Sequence, residues 1–220
     1  MPEWWTYTLA DFLMFSPRTY YRMIERYNAA VWPAQLGALA VGLGLLATLR
    51  GAARARGRAV AAILALLWLW VAWAFLFQRY ARINWAAEYA GWLFVLEVVL
   101  LAFVAARAGS HSARPGRTAA RVGGAVLFGA ALLLYPLLAP LLGRGWPAAE
   151  VFGLAPDPTV LGTVGILLAT GMARALLVVP LLWCLASGAT LLAMGSPECW
   201  LLLAAVPAAL LAGTRPPRQP

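Results

Sequence analysis

Residues 87–106 read AEYAGWLFVLEVVLLAFVAA, twenty positions that carry only two charges, Glu88 at the edge and Glu97 near the middle. At 1.5 Å per residue a helix of that length covers about 30 Å, the thickness of a bilayer's hydrocarbon core. The stretch has neither the alternation of a strand nor the single apolar stripe of a helix half in water, so it predicts a helix surrounded by lipid and other helices. Similar stretches lie on both sides of it. One runs over residues 29–49 and a second over 59–77. The quoted stretch is the third, and a fourth covers 122–142. A fifth opens at Pro158 and turns near Gly171 to Arg174; it is short enough to be tilted, re-entrant or buried among neighbours. The sixth covers 175–194 and the short seventh 199–212. The fold class expected is therefore all-α: a polytopic transmembrane bundle of about seven spans.

Composition agrees with that reading. Of 220 residues 63% are hydrophobic, and the mean hydropathy is +0.78. A soluble domain of this size has too little interior to hide so much apolar surface. The net charge of +9 would suit a nucleic-acid binder, but the arginines fall in the loops that bound apolar segments. There they act as topology signals and as contacts to anionic lipid headgroups, and no nucleic-acid partner is expected.

All 17 basic residues are Arg, so no lysine is present for Schiff-base chemistry. His111 is the sole histidine, which excludes a bis-histidine haem or a histidine-built metal centre within one chain. Cys184 and Cys199 form no CxxC motif, and helical chain between them would hold them about 20 Å apart, too far for a disulfide. No cofactor and no metal is expected. An enzyme is disfavoured, because no nucleophile–base pair, metal cluster or phosphate loop is visible.

The N-terminus carries Trp4, Trp5, Tyr7, Phe12 and Phe15, rings that suit the headgroup level. Ser16 before Pro17 reads as a helix start, with Arg18, Arg22, Glu25 and Arg26 on one face and Tyr20, Ile24 and Tyr27 elsewhere. Residues 1–28 are thus expected to form an interfacial amphipathic segment, 1–213 a single transmembrane domain and 214–220 a polar tail. Ala34, Ala38 and Gly42 form a small-residue seam at which another helix can approach closely. The loops after spans one, three and five, with the tail, hold 11 arginines against 6 on the opposite side. That bias places the N-terminus outside and the C-terminus in the cytoplasm.

Six short stretches together carry a resemblance: EWWTY (residues 3–7), FSPRTYY (15–21), YNAAVWPAQ (27–35), RINWA (82–86), EVFGLAPDP (150–158) and PLLWCLASGAT (180–190). They span nearly the whole chain. In them the protein resembles a family of small bacterial multi-pass membrane proteins known only as a domain of unknown function. The resemblance implies an inner-membrane location and brings no activity or ligand with it.

Candidate chemistry centres on Glu97, since a carboxylate in hydrocarbon costs about 3 kcal/mol or more unless it is protonated or paired. It is expected to face the bundle interior, either as a protonatable or cation-binding group in a pathway or as a neutral acid bonded to another helix. Gln35, Tyr135, Thr163, Ser187 and Thr190 fall in the outer halves of their spans. With Glu97 they form a candidate intramembrane polar site, the plain alternative being separate interhelical hydrogen bonds. Pro136 and Pro180 would kink their spans at similar depth. Trp85, Glu88, Trp146, Glu150 and Asp157 form a second candidate, an outer-face cluster for a ligand or partner, or else an aromatic belt. The leading functional expectation is a proton-coupled or small-solute transport component using Glu97. The rival is a noncatalytic accessory or assembly subunit, with a second copy or a membrane complex as its partner.

Overall fold

Ser16 accepts a hydrogen bond on its side chain from the backbone N–H of Thr19, and Pro17 follows it in the first turn. This cap starts helix α1, Pro17–Val31, in the computed structural model of the protein. Residues 13–49, 55–107 and 118–214 are described. Trp4, Trp5, Tyr7, Phe12, Arg50, Arg54, His111, Arg114, Arg117 and the tail from 215 onward lie outside them.

Every regular element among the described residues is helical. After α1 come α2 (Ala34–Thr48), α3 (Ala55–Trp70), α4 (Ala86–Arg107), α5 (Thr118–Gly129), α6 (Tyr135–Leu141), α7 (Pro156–Thr170), α8 (Val178–Ala193) and α9 (Cys199–Thr214). Four stretches are long and apolar enough to cross a membrane: Gly57–Arg82, Ala86–Arg107, Thr118–Leu141 and Arg174–Ala193. The pair α1 and α2 would make a fifth, although the two helices meet at 88°. Continuous helix from residue 29 to 49 is the expectation corrected here. Pro33 lacks the N–H that an uninterrupted helix needs and restricts the residue before it, and the chain turns at Trp32 and Pro33. Gln35 bridges the break by donating to the Asn28 carbonyl at 2.9 Å.

Two spans contain π-helical turns. Val71–Phe77 continues α3, and Arg79 donates to the Ala74 carbonyl at its end, 2.7 Å. Ala130–Leu134 joins α5 to α6 directly before Tyr135 and Pro136. Pro136 cannot donate to the carbonyl four residues back, and the widened turn accommodates its ring.

Helix α7 lies at the centre and is buried from Pro156 to Leu167 on every face. It packs on α5, α8, α9 and α3. Its closest neighbour is α5, because glycines meet there: a Cβ on Gly124 would stand 2.5 Å from the Gly165 carbonyl oxygen, and one on Gly165 would stand 2.6 Å from the Phe128 nitrogen. The seam expected on α2 serves the same purpose within the chain. Ala38 and Gly42 are buried, and a Cβ on Gly42 would collide with Leu132. The periphery, by contrast, displays Trp73, Trp92, Leu66, Val126 and Leu211, each more than half exposed. Such a surface is compatible with lipid around the bundle.

Candidate functional site

The chain arrives at α7 through a loop held by a set of side-chain-to-backbone hydrogen bonds. Gly153, at φ +83°, donates its N–H to Thr159 Oγ1 at 2.7 Å, and that hydroxyl in turn donates to the Ala155 carbonyl at 2.6 Å. The Tyr27 hydroxyl donates to the Leu154 carbonyl at 2.9 Å, and Asn28 donates to the carbonyls of Pro147 and Ala149, both at 2.8 Å. Helix α7 therefore starts two residues earlier than the sequence suggests. Pro156 takes the first helical position, and Asp157 lies inside the first turn, where the helix dipole favours a negative charge.

Asp157 is fully buried. Its Oδ1 accepts from Trp183 Nε1 at 2.7 Å and from the Ser187 hydroxyl at 2.8 Å, both on α8; its Oδ2 accepts from the Tyr135 hydroxyl on α6 at 3.2 Å. Trp183 and Ser187 also line a cleft of about 140 Å³ whose other walls include Tyr20, Tyr80, Asn84 and Thr190. Asp157 thus stands directly behind the side chains of the cleft wall. A second acid, Glu150, is buried on the preceding loop, and its Oε2 has no hydrogen-bond partner among the described residues. Burial pushes its carboxyl well above the ordinary range, the nearby Asp157 adds to the effect and Arg144 opposes it.

Along the buried face of α4, Ala87 and Ala90 line the cleft, Phe94 comes next and Glu97 follows one turn later. Seven residues from Ala90 to Glu97 are about 10 Å of helix. Phe94 packs between Trp68, tilted at 4.3 Å between ring centroids, and Trp183, edge to face at 5.1 Å. The Trp68 indole donates to the Thr163 hydroxyl at 2.8 Å, and Thr163 donates to the Thr159 carbonyl at 2.8 Å. Glu97 itself is fully buried, and neither carboxyl oxygen has a partner among the described residues. An aromatic layer therefore separates two buried acids, one with three donors and one with none.

The two sets of candidate residues are regrouped by this geometry. Tyr135 and Ser187 from the intramembrane set join Asp157 from the outer-face set, with Thr190 on the cleft wall. Thr163 belongs to the aromatic layer and Gln35 to the α1–α2 break. The outer-face set divides: Trp85, Glu88 and Trp146 are exposed, while Glu150 and Asp157 are buried. Five residues went unmarked by the sequence reading: Trp183, Ser196, Glu198, Tyr80 and Asn84. Glu198 forms an ion pair with Arg144, whose guanidinium also lies 4.2 Å from the Tyr21 ring centre. Tyr21 hydrogen bonds to Ser196. These contacts fasten α1 to the turn between α8 and α9. The PLLWCLASGAT string carried the one available signal for Trp183, which stands four residues before Ser187 and hence on the same helix face.

Residues 18–216 match the sequence model of a family of unknown function, DUF6064. No curated protein and no solved structure matches the chain.

Proposed function

We propose, from the premise that the chain belongs to the DUF6064 family, a family of unknown function, that it is a proton-coupled membrane transport component for a small solute. The observation that carries this reading is the pair of buried carboxyl groups, Asp157 behind the cleft wall and Glu97 beyond Phe94, with an aromatic layer between them. An acid buried without a partner is costly to keep in a bundle. Glu97 is offset by no hydrogen bond among the described residues, so its presence is better explained by use than by packing. In this mechanism solute enters the cleft and Asp157 and its donors sense it. The aromatic layer of Trp68, Phe94 and Trp183 closes the path, and Glu97 takes up or releases a proton on the far side.

In the same reading all seven apolar segments belong to the bundle in a bacterial inner membrane, with α7 as an internal segment shielded by its neighbours. The arginine bias sets the N-terminus and the cleft outside and the C-terminus in the cytoplasm. Helix α1 lies at the outer headgroup level, with Arg18, Arg22 and Arg26 toward water, and the Arg-rich cytoplasmic loops contact anionic lipid.

Proteoliposomes loaded with a pH-sensitive dye test the mechanism. A potential imposed with valinomycin should drive protein-dependent proton flux that responds to small amines, alcohols or carboxylic acids outside. Glu97→Gln should abolish the flux while the protein still inserts and folds. Flux that survives Glu97→Gln unchanged, or the absence of any flux with folded wild-type protein, would overturn it.

A further inference from the structure

The hydrogen-bonding state of the cleft wall defines what the cleft can hold. Ser187 gives its only hydroxyl proton to Asp157, and Thr190 gives its own to the Ala186 carbonyl at 2.9 Å. Toward the cleft both oxygens therefore present lone pairs alone. Tyr20 is 4% exposed and lines the cleft, yet its hydroxyl has no hydrogen-bond partner among the described residues. A hydroxyl on a cavity wall with no protein partner is open to a ligand that supplies one.

The electrostatics favour one sign of charge. Tyr20 and Tyr80 both lie within electrostatic reach of Glu150 and Asp157. Among the described residues no arginine lines the cleft: Arg144 pairs with Glu198, Arg79 lies over the Tyr27 ring at 5.0 Å, and Arg18, Arg22, Arg26 and Arg82 are exposed. Three aromatic side chains, Tyr20, Tyr80 and Trp183, supply ring surface that attracts a cation. The volume of about 140 Å³ corresponds to roughly four or five water molecules, so the occupant is small.

We infer that the cleft is a binding site for ammonium or a primary alkylammonium of one or two carbons, with Ser187, Thr190 and Tyr20 accepting its N–H groups. Asp157, which three donors hold as a carboxylate, supplies the negative field from behind the wall. The inference rests on the transport reading only for what the site serves, because binding is measurable without flux.

Radiolabelled methylammonium with wild-type protein in nanodiscs, read by scintillation proximity, provides the test. Saturable binding is expected, displaced by ammonium and ethylammonium chloride but not by sodium chloride of equal ionic strength, methanol or acetate. Tetramethylammonium, which has the charge but no N–H group, should compete poorly. Thr190→Leu should fill the cleft and abolish binding without touching Asp157. Asp157→Asn should weaken it by about tenfold or more through loss of the charge. No saturable binding by folded wild-type protein, equal displacement by methanol, or unchanged binding by both variants would overturn the inference. Binding without proton flux would sink the transport reading alone, and flux without binding would sink this inference alone.

Discussion

Replacing Asp157 with asparagine and with leucine separates its charge from its hydrogen bonds. Three donors converge on the carboxylate, from Trp183, Ser187 and Tyr135. Asparagine keeps a carbonyl oxygen where Trp183 and Ser187 donate, and its amide nitrogen falls toward Tyr135, whose hydroxyl can turn and accept. All three contacts survive as neutral bonds. The loss of charge assistance, about 1 kcal/mol per bond, is largely offset by no longer burying an ion, so Asp157→Asn should cost no more than about 2 kcal/mol. Leucine of similar volume offers no acceptor. Each stranded buried donor costs about 1–3 kcal/mol, and since the two hydroxyls can swing to backbone carbonyls, Asp157→Leu should cost about 3–5 kcal/mol. Unfolding of the detergent-solubilised protein by added dodecyl sulfate, followed by far-UV circular dichroism, reads both numbers. If leucine were tolerated as well as asparagine, the carboxylate would not be the hub that ties α6, α7 and α8 together.

At Glu97 the order should differ: Glu97→Gln and Glu97→Leu should both leave stability unchanged or improve it, since no partner among the described residues is stranded; a loss above about 2 kcal/mol in the same unfolding assay would reveal a hidden partner. Gly165→Ala should destabilise by about 3 kcal/mol because its Cβ would meet backbone of α5, which cannot move aside as a side chain can. Gly37→Ala, where a Cβ meets nothing within 4 Å, should stabilise by about 0.5–1 kcal/mol, and equal behaviour of the two glycines would contradict the α5–α7 contact. Glu150 holds its proton more tightly folded than unfolded, so its contribution to stability is present below the ordinary value of 4.5 and is lost as pH rises from there through its raised folded value. Glu150→Gln should remove that share of the pH dependence, as thermal unfolding across pH 4 to 8 would show; an unaltered pH profile would count against it. Cysteines at Trp146 and at Thr118, both exposed, should react with impermeant reagent from opposite sides of the membrane, and labelling from one side would refute the proposed topology.

Helix positions were legible because lipid-length apolar runs need no tertiary information. The quoted run at 87–106 became α4, Ala86–Arg107, almost residue for residue. The site was less legible, for three physical reasons. Depth counted along a span treats each segment as straight, and the turn at Pro33 removed Gln35 from the region where counting placed it. Acidic residues near a span end look like partners of the aromatic belt, so Asp157 was grouped with exposed Trp146 although two prolines and a capped loop carry it inside. Pairs distant in sequence, such as Arg144 with Glu198, leave no periodic trace. Glu97 was found because one charge in a lipid-length run is conspicuous whatever surrounds it.

Helix α7 has a consequence for how the molecule comes into being. A segment that meets protein on every side presents no face to which a lipid tail could pack, and it opens with an acid that hydrocarbon does not solvate. In the proposed topology its entry would be governed by companions more than by its own partition into the bilayer. The glycines on α5 stand ready when α7 emerges, but Trp183 and Ser187 are made later, on α8. Until they arrive Asp157 lacks two of its three donors, and α7 is a provisional guest that the following segment must secure. Insertion and tertiary assembly would then be a single event for this part of the chain, and a truncation before α8 would leave α7 without a settled address.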